Sequence, residues 1–312
     1  MVYTVITAVT PSIDKPKASR LSLVLAFASL YVLWGSTYLA IHYLLAGGFT
    51  PFLGAGLRML VAGLILLSYL RMRGVPLLSG RDTIEAAVAG GFLFVGGNGL
   101  VMVAQQWLPS GLAATLIATT PFWMAGLERL LPGGERISGP TIIGIAVGFL
   151  GVALLVWPRL SVTGSSVAGV VALLVAPSLW SVGALWAKHR LAHRAPLSVT
   201  AYEMLLSAPM LAFTGLVRGE LADLAPQPSG WLALAYLIVF GSLMGFSAFV
   251  YLMANVPAAQ VATYSYVNPA IAVLLGWLLA DERLSGQTLA ATAIIILGVA
   301  LVTLAPRLRW RA

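Results

Sequence analysis

Ten apolar stretches, each about as long as a bilayer core is thick, fill this chain almost from end to end. A helix needs about 20 mostly apolar residues to cross the hydrocarbon layer. Divided at Gly, Pro and charged breaks, the stretches are 21–45, 51–71, 84–105, 110–131 and 138–157, then 166–187, 197–217, 230–252, 257–280 and 286–305. Lipid donates and accepts no hydrogen bonds, so each stretch must satisfy its own backbone as a helix. Hydrophobic residues make up 60% and charged residues 9% of the chain, too little polar surface to coat a water-soluble globule. The expected fold is an all-α polytopic membrane protein.

The second half of the chain repeats the first. Glu135-Arg136-Ile137-Ser138-Gly139 returns as Glu282-Arg283-Leu284-Ser285-Gly286, and Gly151-Val152-Ala153-Leu154 returns as Gly298-Val299-Ala300-Leu301. Pro121 precedes one copy and Pro269 the other. The expected domains are a cytoplasmic tail at 1–20, a five-helix unit at 21–157, a second at 166–305 and a tail at 306–312. An odd number of spans per unit makes the two copies enter the membrane from opposite sides, giving ten helices as two inverted repeats. Such repeats build many secondary transporters, because exchanging the bends of the two halves moves an opening from one face to the other.

Charge supplies the orientation. With the N-terminus inside, Lys and Arg gather in cytoplasmic segments, including Lys15, Lys17, Arg71, Arg73, Arg81, Lys188, Arg190 and Arg194. Outside segments hold only Arg159, Arg218 and Arg283. This positive-inside bias places both termini in the cytoplasm and the protein in the inner (plasma) membrane of a bacterium. The first apolar run lacks a small-residue cleavage site after it and reads as a retained helix. The net charge of +8 does not imply nucleic acid, since the basic residues sit between apolar runs instead of along one face. Cysteine is absent and His42, His189 and His193 are scattered, so neither a metal site nor a cofactor is expected.

Trp34-Gly35-Ser36-Thr37-Tyr38 and the two proline-to-Glu-Arg stretches resemble the drug/metabolite transporter superfamily, specifically its ten-helix EamA-type exporters. The resemblance covers roughly residues 21–305. It implies export of small metabolites, amino acids or drugs, through a central cavity lined by helices 1, 3, 4, 6, 8 and 9. An extra residue between Pro121 and Glu135, in the region of Pro132-Gly133-Gly134, departs from the second copy.

Polar side chains at membrane depth need a partner or a wet cavity, which makes them the candidates for substrate contact. They are Trp34, Thr37, Tyr38, Asn98, Gln105, Trp180, Trp186, Tyr251, Tyr264, Tyr266 and Asn268, with Ser36 and Ser181 beside them. Thr37, Tyr38, Asn98 and Trp180 lie nearest mid-span. Trp and Tyr also form interfacial belts, so roughly half of these aromatics are expected to face lipid or a neighbouring helix. Pro121 and Pro269 are hinge candidates, because each removes a helical N–H and frees a carbonyl one turn earlier. The glycines of helix three allow close packing or loosen the helix enough to bend, and the Gly144, Gly148, Gly151 stripe of helix five reads as a packing surface.

Two charges are embedded, Arg58 in helix two and Glu203 in helix seven. One reading makes them coupling groups, with Glu203 exchanging a proton. The favoured expectation is that Arg58 snorkels outward and Glu203 meets Lys188 or Arg190 near the inner surface.

A secondary transporter, most simply an amino-acid exporter acting as a monomer on a small-molecule substrate, accounts for these features together. A drug or amphiphile permease of the same fold is the alternative, and a channel or sensor a more distant one. No phosphate-binding loop motif is present, and the aspartates Asp14, Asp82, Asp223 and Asp281 all lie in tails or loops, which leaves no intramembrane catalytic pair.

Overall fold

A computed structural model describes residues 19–130, 139–156, 164–256, 261 and 264–308. Among the described residues ten helical elements follow one another: α1 Arg20–Ala46, α2 Pro51–Met72, α3 Arg81–Ala104, α4 Ser110–Leu130, α5 Gly139–Val156, α6 Gly164–Arg190, α7 Pro196–Val217, α8 Pro228–Asn255, α9 Tyr264–Leu279 and α10 Gly286–Leu308. Seven are long and apolar enough to cross a membrane outright, and the apolar parts of α5, α9 and α10 are shorter. The protein is an all-α polytopic membrane protein, with helix ends within a few residues of those predicted apart from the start of α9, predicted at 257 and described from Tyr264.

Local chemistry sets those ends. Pro51, Pro196 and Pro228 open α2, α7 and α8 at a position where a missing N–H costs nothing. Ser19 caps α1 by accepting a hydrogen bond from Ser22 N–H at 3.0 Å. Gly48, with φ of +81°, makes the left-handed step in the turn between α1 and α2.

Two long helix pairs flank the centre. The inverted repeat places α2 beside α7 and α5 beside α10, the two most extensive helix contacts in the fold. Both pairs run antiparallel: Gly56 and Gly63 face Ala208 and Leu205, and Gly148 and Gly151 face Gly298 and Ile295. A Cβ on Gly298 would lie 2.5 Å from Gly148 N and 2.7 Å from Gly144 O, so Gly144, Gly148 and Gly151 pack against α10, as expected. Between the flanking pairs stand α1, α3, α4, α6, α8 and α9.

The central helices are irregular. α3 is π-helical over Gly91–Gly99 and α8 over Leu237–Met244, matching segments of the two halves. A π segment widens the helix and often marks a functional site. α4 breaks between Ile117 and Thr120, just before Pro121. There the Thr120 hydroxyl donates to Ile117 O at 2.6 Å, replacing the N–H that proline lacks. α9 continues through Pro269, and prolines also lie inside α6 (Pro177) and α7 (Pro209). The extra residue near Pro132-Gly133-Gly134 lies outside the described residues.

Candidate substrate cavity

A cavity of about 110 Å³ opens between the two halves. From the first half it is lined by Trp34, Thr37, Tyr38 and Ile41 of α1, Gly97, Asn98 and Val101 of α3, and Ala114, Ile117, Ala118 and Thr120 of α4. The second half contributes Ala176, Pro177 and Trp180 of α6, Phe246 of α8, and Tyr264, Ser265, Asn268 and Pro269 of α9. These are the six helices the family resemblance implied. Arg58 adds a seventh, α2.

Five aromatic side chains, Trp34, Tyr38, Trp180, Phe246 and Tyr264, stand in the wall. Trp34 packs edge-on to Phe246 and Tyr264, with ring centroids 5.2 and 5.1 Å away, and stacks on Phe249 at 5.4 Å. Phe94 and Phe246 back Trp180 at 6.2 and 6.3 Å. Such contacts hold large rings at low entropic cost and leave apolar faces turned to a ligand. Glycine makes room for both tryptophans: Gly97 abuts Trp180, where a Cβ would lie 3.0 Å from Cε3, and Gly245 abuts the Trp34 indole. Trp34 Nε1 donates to Gly241 O at 3.2 Å, using a carbonyl in the π-helical part of α8.

Polar groups are few. Asn268 is buried and its Oδ1 has no hydrogen-bond partner among the described residues. The Thr37 hydroxyl is committed locally, donating to Trp34 O at 2.6 Å. An unpaired buried amide costs free energy unless a ligand or water completes it. An apolar chamber with a few convergent polar groups suits a small molecule with an apolar body and one or two polar ends.

Trp34, Thr37, Tyr38, Asn98, Trp180, Tyr264, Asn268 and Pro269 thus meet at one cavity. Other candidates lie elsewhere. Tyr251 pairs with Ser22 across α1 and α8 at 2.7 Å between hydroxyl oxygens. Trp186 carries the Arg190 guanidinium over its ring at 5.3 Å. Gln105 is buried at the end of α3, away from the cavity lining. Pro121 borders the break in α4 without lining the cavity, and the Tyr266 side chain lies outside the described residues. Ile117, Ser265, Pro177 and Phe246 are additional lining residues. Pro177 carried a signal in the sequence, a proline in the middle of a span; the apolar lining residues carried none.

The expectation for the embedded charges is corrected. Arg58 does not snorkel: it is 3% exposed, lines the cavity, and its Nε donates to Ser242 Oγ of α8 at 2.9 Å. Nor does Glu203 meet Lys188 or Arg190. Lys188 pairs with Glu128 at 2.5 Å and Arg190 with the Trp186 ring, while Glu203 is buried with Oε1 unpartnered. The α2–α7 contact places Arg58 about five residues from the level of Glu203, roughly 7 Å at 1.5 Å per residue. No ion pair joins them among the described residues.

Two loop glutamates tie the bundle at helix starts. Glu220 accepts from Phe52 N–H and Leu53 N–H at 2.9 and 3.0 Å, capping α2. Glu282 accepts from Ser110 N–H and Gly111 N–H at 2.6 and 3.1 Å, capping α4. A carboxylate at a helix N-terminus satisfies free donors and the helix dipole together. Glu282 belongs to the repeated Glu-Arg motif, so that motif has a structural task in the second half.

The EamA-like transporter family matches the chain twice, at residues 21–157 and 167–304. The uncharacterized inner membrane transporter YedA of Escherichia coli (strain K12) is 36% identical over 89% of this chain and 90% of its own length. A probable amino-acid metabolite efflux pump from the same strain is 25% identical over 90% of this chain and 93% of its own. A solved crystal structure superposes with a TM-score of 0.66 at 25% identity, covering 93% of this chain and 99% of that one. Two matches in tandem, spanning nearly every helix that lines the cavity, settle the assignment: the chain belongs to the EamA-like transporter family.

Proposed function

We propose that this transporter exports small metabolites, amino acids foremost, from the cytoplasm across a bacterial inner membrane by alternating access, with both termini cytoplasmic. One observation carries the reading: the cavity draws its wall from both halves and sits against the helix break before Pro121 and against Pro269 itself. Prolines matched in the two repeats mark where the halves can bend in turn, closing one face as the other opens. Trp34 and Trp180 hold the apolar part of the substrate, while Thr37, Asn98 and Asn268 address its polar ends. Glu203, buried and without a cation partner among the described residues, is the group in which we place proton coupling. The amino-acid reading is supported by the name of the Escherichia coli efflux pump to which the chain is similar.

Counterflow in vesicles loaded with unlabelled L-phenylalanine tests the carrier. A carrier accumulates labelled substrate transiently against its gradient; a channel shows no trans-stimulation and would refute alternating access. The aromatic wall also suits amphiphilic drugs, and export of a cationic dye in preference to every amino acid would favour that second reading.

A further inference from the structure

Arg58 stands apart from the rest of the cavity wall. It is the lining residue with a formal charge, it comes from a helix that otherwise stays outside the wall, and it is 97% buried. Its guanidinium carries five N–H donors. Ser242 takes the Nε donor at 2.9 Å, and the terminal nitrogens donate to no protein acceptor among the described residues. Gly241, one residue before Ser242, makes the approach possible: a Cβ there would lie 3.0 Å from Arg58 Nη2 and 2.9 Å from Thr37 Cγ2. The side chain is therefore held by one edge while its open fork borders the cavity beside Thr37.

A guanidinium stays charged in any protein environment, and placing it away from bulk water is costly unless an anion accompanies it. Among the described residues no Asp or Glu lines the cavity, and no ion pair joins Arg58 to Glu203, the nearest embedded acid along the α2–α7 pair. The described residues thus supply no counter-charge, which leaves the fork open to an anionic ligand. A planar fork with two adjacent free N–H groups matches the two oxygens of a carboxylate.

We infer that Arg58 is the anchor for a carboxylate on the transported molecule, with Ser242 fixing the plane of its guanidinium and Thr37 flanking it. The inference rests on the transport reading of this cavity and sharpens it. The substrate class becomes carboxylic acids with an apolar or aromatic body; amino acids enter carboxyl end toward α2, with their side chains between Trp34 and Trp180. Cationic amphiphiles are refused, because they would bring a second positive charge into a chamber without an acid.

The test uses the full-length protein in detergent and matched probes: 3-phenylpropionate, L-phenylalanine, 3-phenylpropionamide and phenethylammonium. Thermal stabilisation by each probe gives an apparent affinity, and counterflow of labelled L-phenylalanine in vesicles gives transport. The wild type should bind the two carboxylates at least tenfold more tightly than the amide and should not respond to the amine. Arg58→Gln should weaken both carboxylates by about ten- to a hundredfold and leave the amide unchanged, the loss of a charge-assisted hydrogen-bond pair. Ser242→Ala, which keeps the charge and frees its orientation, should cost the carboxylates a few-fold and guards against a misfolded Arg58 variant. Equal binding of acid and amide by the wild type, with L-phenylalanine counterflow intact, overturns the anchor and leaves the transport reading standing. Absence of both stabilisation and counterflow for every probe overturns the two together. Carboxylate selectivity that survives in Arg58→Gln and Ser242→Ala also overturns the anchor.

Discussion

The helices α2 and α7 begin alike and end up opposed. Each is 22 residues long, opens on a proline at its first turn, and carries a charge at the same register, Arg58-Met59-Leu60 in one and Glu203-Met204-Leu205 in the other. They pack antiparallel, so the two charges sit at mirrored points along the pair. Arg58 reaches the cavity and is held there by Ser242. Glu203 does not line the cavity; its backbone lies against Gly90 of α3 and its carboxyl is buried in the packing. An inverted repeat thus supplies equivalent positions, and the packing around each decides whether its side chain meets the cavity or stays behind it. In one frame the duplicated site became a cationic face of the chamber, in the other a buried acid behind it.

The strongest challenge to this contrast is a charge exchange. Arg58→Glu puts a carboxylate where the substrate's own carboxylate should sit, and L-phenylalanine counterflow should fall by at least a hundredfold, a loss of about 3 kcal/mol or more. Adding Glu203→Arg should not restore it, because the two residues are not paired. Recovery in the double variant would make them one ion pair and dissolve the distinction. Glu203→Gln alone should leave the apparent affinity for L-phenylalanine unchanged while removing the dependence of flux on an imposed pH gradient, measured in the same vesicles. A tenfold affinity change would move Glu203 into the binding site.

A second contrast lies in the two tryptophans, each backed by one glycine. Gly97→Ala places a methyl 3.0 Å from Trp180 Cε3, whereas Gly245→Ala drives one into the Trp34 indole at the edge that donates to Gly241 O. Both should reduce flux, and Gly245→Ala should be worse, costing about 1–3 kcal/mol of stability through overpacking and a lost hydrogen bond. Thermal unfolding in detergent beside counterflow measures both effects. Equal losses would mean that the Trp34 hydrogen bond contributes little.

How far the sequence could be read follows from what each kind of residue signals. Helix ends were legible because Gly, Pro and charge interrupt apolar runs, as at Gly47-Gly48 before Pro51. Thr37, Asn98 and Trp180 were legible as cavity residues because a polar or amphipathic side chain at mid-span needs a reason. The facing of Arg58 was not legible: hydropathy records that a charge lies in a span and is silent on whether it turns to lipid or inward. Only the packing of α2 against α7, with Gly241 clearing space in α8, decides that. Val101 and Phe246 escaped notice for a different reason, since an apolar residue in a membrane helix looks the same whether it meets lipid, a neighbour or a substrate. Tyr251 and Trp186 went the other way, polar by type yet engaged outside the cavity, Tyr251 with the Ser22 hydroxyl and the Trp186 ring under the Arg190 guanidinium.

The two capping glutamates sharpen the comparison of the halves at lower cost. Glu220 is buried and binds Phe52 and Leu53 N–H through one oxygen; Glu282 is half-buried and splits its oxygens between Ser110 and Gly111 N–H. Glu220→Ala should destabilise by about 2 kcal/mol and Glu282→Ala by about 1 kcal/mol, within the range for lost charged caps. Because Glu282 ties the turn after α9 to the start of α4, two helices that line the cavity, its removal should also change turnover. Glu220→Ala should lower stability with turnover preserved. The reverse pattern would break the association of the Glu-Arg motif with movement.

The smallest effect tests the exclusion of residues from the cavity. Tyr251 offers the same hydroxyl and ring as Tyr38 and Tyr264, but its hydroxyl meets Ser22 near the start of α1. Tyr251→Phe removes that single part-buried contact and should cost about 0.5–1 kcal/mol, the net worth of an ordinary hydrogen bond. L-Phenylalanine affinity should not move. Tyr264→Phe removes a hydroxyl from a tyrosine that lines the cavity and packs on Trp34, and should lower affinity several-fold with little change in stability. Two substitutions identical in chemistry therefore separate binding from packing. A shift in affinity from Tyr251→Phe as large as that from Tyr264→Phe would mean that the substrate path extends to the Ser22 end of α1 and α8.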